Sequence, residues 1–239
     1  MNRAGLLELL AASGLPEGVK KYLALSAGPS QLRRSLKADA AGTLAGLERL
    51  LGEAAGILGL RADAVLFVTG FDGNNLAGDR LDAALAELRA AVFLRGEGFS
   101  GLALVERARG RTADLCGARN GREYAFEVCR VRGESFGSGA ARAGALREKY
   151  AAKKAQLSAY CKRSGCLPGG VILVTGPAEF TELAPDAALG ALAAAVLGPG
   201  PGPGLPPLCL LCRGGAAVYP AWPRRAAGPG TLGQMTPAA

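Results

Sequence analysis

The 239-residue chain contains no histidine. That absence excludes histidine-based general catalysis, Ser-His and Cys-His nucleophile pairs, and imidazole metal ligands. Any chemistry must come from carboxylates, lysines, tyrosines, cysteines or a metal held by oxygen ligands. Aromatic residues are scarce, at 5% with one tryptophan, so the interleaved stacking platform of a single-strand nucleic-acid binder is not expected. Long apolar runs are missing too. "AALGALAAAVLG" falls well short of the ~20 residues a membrane span needs. The N-terminal "MNRAGLLELLAASGL" is interrupted by Glu8 and passes into a helical pattern, so it does not read as a signal peptide. A cytoplasmic protein with no membrane partner is expected. Finally, no G-x-G-x-x-G fingerprint or P-loop lysine follows "VLFVTG" or "VILVTG". Their likeness to each other therefore does not argue for a doubly wound nucleotide-binding fold.

What is present is a chain that can build a core. Apolar residues make up 49%, much of that alanine, and the net charge is +8. Such an excess favours anionic partners, nucleic acid or an anionic surface, with general solubility as the plain alternative. The excess is localised. Residues 101–163 hold 14 Lys and Arg against six Asp and Glu, a net +8 that equals that of the whole chain. A surface that tracks phosphates needs such a concentration.

Residues 1–62 read as a helical N-terminal region. Leu32, Leu36, Leu44, Leu47, Leu51 and Leu58 recur at helical spacing. These helices could cap the core, touch a partner or form a homodimer. Residues 63–222 read as an α/β domain, and 223–239 as a disordered tail. Within the domain "AVLFVTG" (64–70) reads as a strand, and Asp79 as the N-cap of a helix running to about Leu94. "GLALVER" (101–107), "RTADLCGA" (111–118) and "EYAFEVCRV" (123–131) read as a meander, the last two joined by an Asn-Gly turn. A helix follows from about 145 to 162. "GVILVTG" (170–176) suits a central strand covered on both faces. A helix over 184–197, the stiff loop "GPGPGPGLPP", and the strands "LCLLCR" and "AAVYPA" complete the sheet.

Six cysteines stand at 116, 129, 161, 166, 209 and 212. Reduced thiols are expected in a cytoplasmic chain. Cys161 and Cys166 flank "KRSG" at a helix end, and Cys209 and Cys212 form a C-x-x-C inside an apolar run. A four-cysteine zinc or iron–sulfur site from these two pairs is conceivable, against the simpler reading of buried structural cysteine.

The strand "REYAFEVCRV" carries Glu127 and Cys129 on one face. A carboxylate facing inward is costly unless something pairs with it. Taken with its surroundings, this segment resembles the PD-(D/E)XK nuclease superfamily, particularly its RecB-like branch. The resemblance covers about Asp79 to Thr175. It is carried by Glu87 on the first helix, Asp114 in "RTADLCG", Glu127 in the third strand, and Gln156 and Tyr160 as the Q-x-x-x-Y of "QLSAY". It implies a restriction-endonuclease-like mixed sheet flanked by helices. It also implies Mg²⁺ or Mn²⁺ held by Asp114 and Glu127 with help from Glu87, Gln156 and Tyr160 orienting the site, and a nucleic-acid substrate, DNA first. Oxygen ligands suit Mg²⁺ independently, since it keeps several waters and needs few carboxylates.

The superfamily strand usually ends E-x-K, and here Cys129 stands at the lysine position. Three accounts compete. The lysine has migrated to the following helix, where Lys149, Lys153, Gln156 and Tyr160 share one face, with Lys153 the first choice and Lys149 the second. Arg130 supplies the charge, although strand alternation points it the other way. Or the domain is an inactive nuclease fold that only binds. Against all three stands an ordinary reading. Asp114 closes a turn, Glu127 sits in a structural ion pair, the lysines form a solvated face, and Gln156 and Tyr160 are unremarkable helix residues.

Overall fold

The computed structural model describes residues 3–26, 30–77, 79–106, 112–131, 140–175, 187–198, 204–212 and 215–222. The expected tail over 223–239 lies outside the described residues, as do residues 107, 111 and 176 at the ends of expected strands, the first residues of the helix expected over 184–197, and part of the Gly-Pro loop that follows it.

Four helices come first: α1 (Arg3–Ala12), α2 (Glu17–Leu25), α3 (Gln31–Ala38) and α4 (Ala40–Leu58). The leucine pattern breaks into two helices at Asp39. Its side chain accepts from the Gly42 N–H at 2.9 Å and starts α4. Gly59, at φ 65°, ends α4 in the left-handed region where glycine meets no penalty. Leu32, Leu36, Leu44, Leu47 and Leu51 are buried in one cluster. That cluster also takes Leu81, Ala84, Leu85 and Leu88 from α5 (Arg80–Gly96). The boundary at 62/63 is thus bridged by α5, which packs on the N-terminal helices and on the sheet. Asp79 occupies the N-cap position of α5, but its side chain makes no capping hydrogen bond.

The sheet has six strands in chain order: β1 (Ser100–Leu104), β2 (Leu115–Arg119), β3 (Arg122–Arg130), β4 (Leu167–Val174), β5 (Leu208–Leu211) and β6 (Ala216–Tyr219). β1, β2 and β3 form an antiparallel meander, β3–β4–β5 run parallel, and β6 returns antiparallel. The Asn120-Gly121 turn, with both residues at positive φ, joins β2 to β3 and pairs Arg119 with Arg122. α6 (Ala140–Ser164) makes the crossover from β3 to β4, and α7 (Ala187–Leu197) that from β4 to β5. The result is the expected mixed sheet with flanking helices and a helical N-terminal region. No described helix is long and apolar enough to cross a membrane.

One strand expectation fails. Residues 64–70 form turns and a short 3-10 helix, Phe67–Thr69. Their backbone groups bond locally, Val65 N–H to Arg61 and Phe67 N–H to Ala64. Val65 and Leu66 are buried against the helical layer, whereas Phe67 is 74% exposed. The apolar run found a helical core to enter and no strand to pair with, and burial outweighed β propensity.

The two faces of the sheet differ. Under α5 lie Phe99, Phe126, Val128, Ile172 and Trp222 with the α5 alanines Ala86, Ala90 and Ala91. Under α6 and α7 lie Ala125, Val171 and Leu173, packed against Leu146, Tyr150 and Leu157 of α6. β4 is buried on both sides from Val171 to Val174, as a central parallel strand should be.

Candidate functional site

β3 lies inside the sheet between β2 and β4, and its alternation sorts its side chains. Phe126 and Val128 enter the α5 layer, while Glu127 and Cys129 face α6. α6 runs back along β3 and meets it rung by rung. Lys149 acts on Cys129, Lys153 bonds Glu127, Gln156 bonds the segment before β2, and Tyr160 reaches Cys116. The four polar positions share a face because their spacings of four, three and four follow the helical turn. Leu146, Tyr150 and Leu157, on the adjoining stripe, anchor that face against the sheet.

Glu127 is fully buried. Its Oε2 accepts from Lys153 Nζ at 2.8 Å, and its Oε1 is buried with no hydrogen-bond partner beyond the Asp114 carboxyl group. Asp114 precedes β2 but is still held by the ladder. Its N–H donates to Phe126 and its carbonyl accepts from Val105, both at 3.0 Å. Asp114 Oδ2 accepts from the Val128 N–H at 2.7 Å, which aims the carboxylate across the hairpin towards Glu127. Burial, then the charge of the Asp114 carboxylate, and last a hydrogen bond shared between the two carboxyl groups push the Glu127 pKa up to about 8 against the pull of Lys153. Burial works to lower Lys153, but its hydrogen bond to Glu127 and the nearby carboxylates outweigh it, and its pKa is raised. The Cys129 thiol is raised by burial despite Lys149 and Lys153, so it brings no charge to the place where the resemblance would put a lysine.

Gln156 donates through Nε2 to the Thr112 carbonyl at 3.0 Å, and its Oε1 accepts from Lys153 at 3.5 Å. It therefore fixes both the approach to Asp114 and the position of the ammonium. Tyr160 Oη lies 3.7 Å from Cys116 Sγ, and burial and that contact push its pKa up to about 12. Tyr160 borders the site on the β2 side.

Comparison of the chain with protein-family models, with curated proteins and with solved structures gives no match in any of the three. What the site can do is read from its own residues.

The two-carboxylate set fits a hard divalent cation. A buried carboxyl oxygen that meets only a second carboxyl group is the donor arrangement Mg²⁺ or Mn²⁺ accepts, with water or phosphate completing the shell. The expected third ligand does not join them. Among the described residues no group of three Cys, Asp or Glu comes together. Glu87 is buried on α5, the helix on the other face of the sheet, and the charges acting most on Glu127 are those of Asp114 and Lys153. The four-cysteine site is not assembled either. Cys161 belongs to the α6 layer and Cys209 to the α5 layer, with the sheet between them.

Arg130 points away from Glu127, as alternation requires, and pairs with Asp82 of α5 at 3.0 Å, both largely buried. Sequence reading missed Asp82, although an acid on the sheet-facing side of a helix is itself a signal of a buried partner. A cleft of about 590 Å³ between α4, α5 and the ends of β4 and β5 is lined by this pair. It lies on the α5 face and does not include Glu127. Cys116, the Tyr160 partner, was also missed, because nothing in its spacing marks it.

Proposed function

We propose that the chain is a metal-dependent nuclease of restriction-endonuclease-like type, hydrolysing phosphodiester bonds of nucleic acid, DNA first. The observation that carries the reading is the Lys153 ammonium, 2.8 Å from the buried Glu127 carboxyl group, which also lies against the Asp114 carboxylate. A helix lysine stands beside the acid whose own strand offers only Cys129. The order of elements from α5 through the β1–β2–β3 meander and α6 to β4 supports it, as does the basic excess over 101–163.

In this reading Asp114 and Glu127 hold Mg²⁺ or Mn²⁺. When bound, the ion polarises the scissile phosphate and lowers the pKa of an attacking water. Lys153 offers its ammonium to a phosphate oxygen or to that water. Gln156 holds the Lys153 head and the segment before Asp114 in place. Lys149 lies one helical turn away near Cys129 and contributes positive potential.

The test is hydrolysis of labelled single- and double-stranded DNA and RNA with Mg²⁺ and with Mn²⁺. Cleavage should need the metal and vanish in Asp114→Asn and Glu127→Gln. No cleavage by the wild type on any substrate with either metal contradicts the enzyme. Cys129, raised and neutral, favours a second reading of the same fold as a nucleic-acid-binding module without catalysis. Salt-sensitive binding retained without cleavage would decide for it.

A further inference from the structure

The end of α6 carries a feature that the proposed chemistry does not use. Gly165, at φ 75°, stops the helix in the left-handed region, and its N–H donates to the Cys161 carbonyl at 2.9 Å. This is the glycine stop in which the residue after the glycine folds back onto the residue four before the glycine. Both positions are cysteine. Cys161 and Cys166 face each other with their sulfurs 3.5 Å apart and unbonded. Ser164 Oγ lies 2.9 Å from Cys166 Sγ and donates to the Tyr160 carbonyl at 3.1 Å.

We infer that Cys161 and Cys166 are a redox modification site, a dithiol that hydrogen peroxide converts to an intramolecular disulfide across the helix stop. The sulfurs need to close from 3.5 Å to the bonded distance of about 2.05 Å. The helix stop already holds them in contact, so no long loop has to be brought together. The two thiols have different roles. Cys166 is half-buried beside the Ser164 hydroxyl, whereas Cys161 is buried and burial pushes its pKa up to about 12. Cys166 therefore reacts first. Its sulfur attacks a peroxide oxygen, the O–O bond breaks, and Cys166 becomes a sulfenic acid as water leaves. The Cys161 sulfur then attacks the Cys166 sulfur. The S–O bond breaks, and the departing hydroxide takes the Cys161 proton. Two thiols and one peroxide give one disulfide and two waters. The bridge would close a loop of only a few residues and reach solvent through the half-buried Cys166, so a dithiol reductant reopens it. None of this depends on the nuclease reading. The bond would nevertheless tie the turn that carries Tyr160 to the start of β4.

The experiment is peroxide titration of the folded full-length chain, followed by thiol counting and peptide mapping. Two of the six thiols should be lost, the cross-link should map to Cys161–Cys166, and reduction should restore both. Cys166→Ser should lose no thiol pair. Cys161→Ser should stop at a sulfenic acid on Cys166 that a sulfenic-specific trap captures. The inference is overturned if all six thiols survive peroxide that oxidises the urea-unfolded chain, if the lost pair maps elsewhere, or if wild-type Cys166 stops at the sulfenic acid. The wild-type measurement alone decides, so a poorly folded variant leaves the outcome readable.

Discussion

The two faces of β3 are built for opposite purposes from alternate residues of one strand. On the α5 face Phe126 packs edge-on to Phe99 at 5.0 Å between ring centres, and Trp222 closes the cluster while donating to the Gly169 carbonyl at 2.8 Å. A methyl added at Gly169 would stand 2.4 Å from the Phe126 ring, so this packing leaves no slack. On the α6 face, one residue along, Glu127 is equally buried yet lies against a second carboxylate and has a raised pKa. A dry aromatic layer that fixes the strand is what allows its other side to hold a costly carboxylate in place.

That contrast can be broken from either side. The largest effect on stability should come from the aromatic side: Phe126→Ala should cost about 3–5 kcal/mol in urea unfolding. Glu127→Gln, its neighbour, should have the opposite profile, losing cleavage while keeping the fold. It should also change how stability depends on pH. The folded pKa of Glu127 is about 8 against an ordinary 4.5, so the folded state binds the proton more tightly than the unfolded one. Wild-type stability should therefore fall as pH rises from about 4.5 to about 8 and level off above that. Urea midpoints across this range should show the slope in wild type and its loss in Glu127→Gln. A wild type that grows more stable over the same window would show that Glu127 is not held protonated. The smallest effect should be that of Tyr160→Phe. It removes only the 3.7 Å contact with Cys116 and should cost at most about 1 kcal/mol by the same measurement.

The sequence showed most of the sheet because its signals were local. The Asn-Gly pair set the β2–β3 register, and the unbroken apolar run of β4 marked a strand covered on both faces. The face shared by Lys149, Lys153, Gln156 and Tyr160 followed from helical spacing alone. Failures came where a partner decided the outcome. Residues 64–70 have strand composition but lie against helices. Glu87 is spaced like a ligand, yet its helix packs on the far side of the sheet. Asp82 and Cys116 gain their meaning only from Arg130 and Tyr160, which are distant in sequence. Position on an element can be read from periodicity, whereas the face an element presents to a neighbour cannot.

The central claim is that Lys153 does from α6 what the strand position of Cys129 cannot. The direct test compares metal-dependent cleavage by wild type, Lys153→Ala, and the double variant Lys153→Ala with Cys129→Lys. The single variant should lose activity by about a hundredfold or more. The double variant should regain a substantial part of it, because the new ammonium rises from β3 beside Glu127. A Lys153→Ala variant as active as wild type, or a folded double variant no better than the single one, would contradict the account.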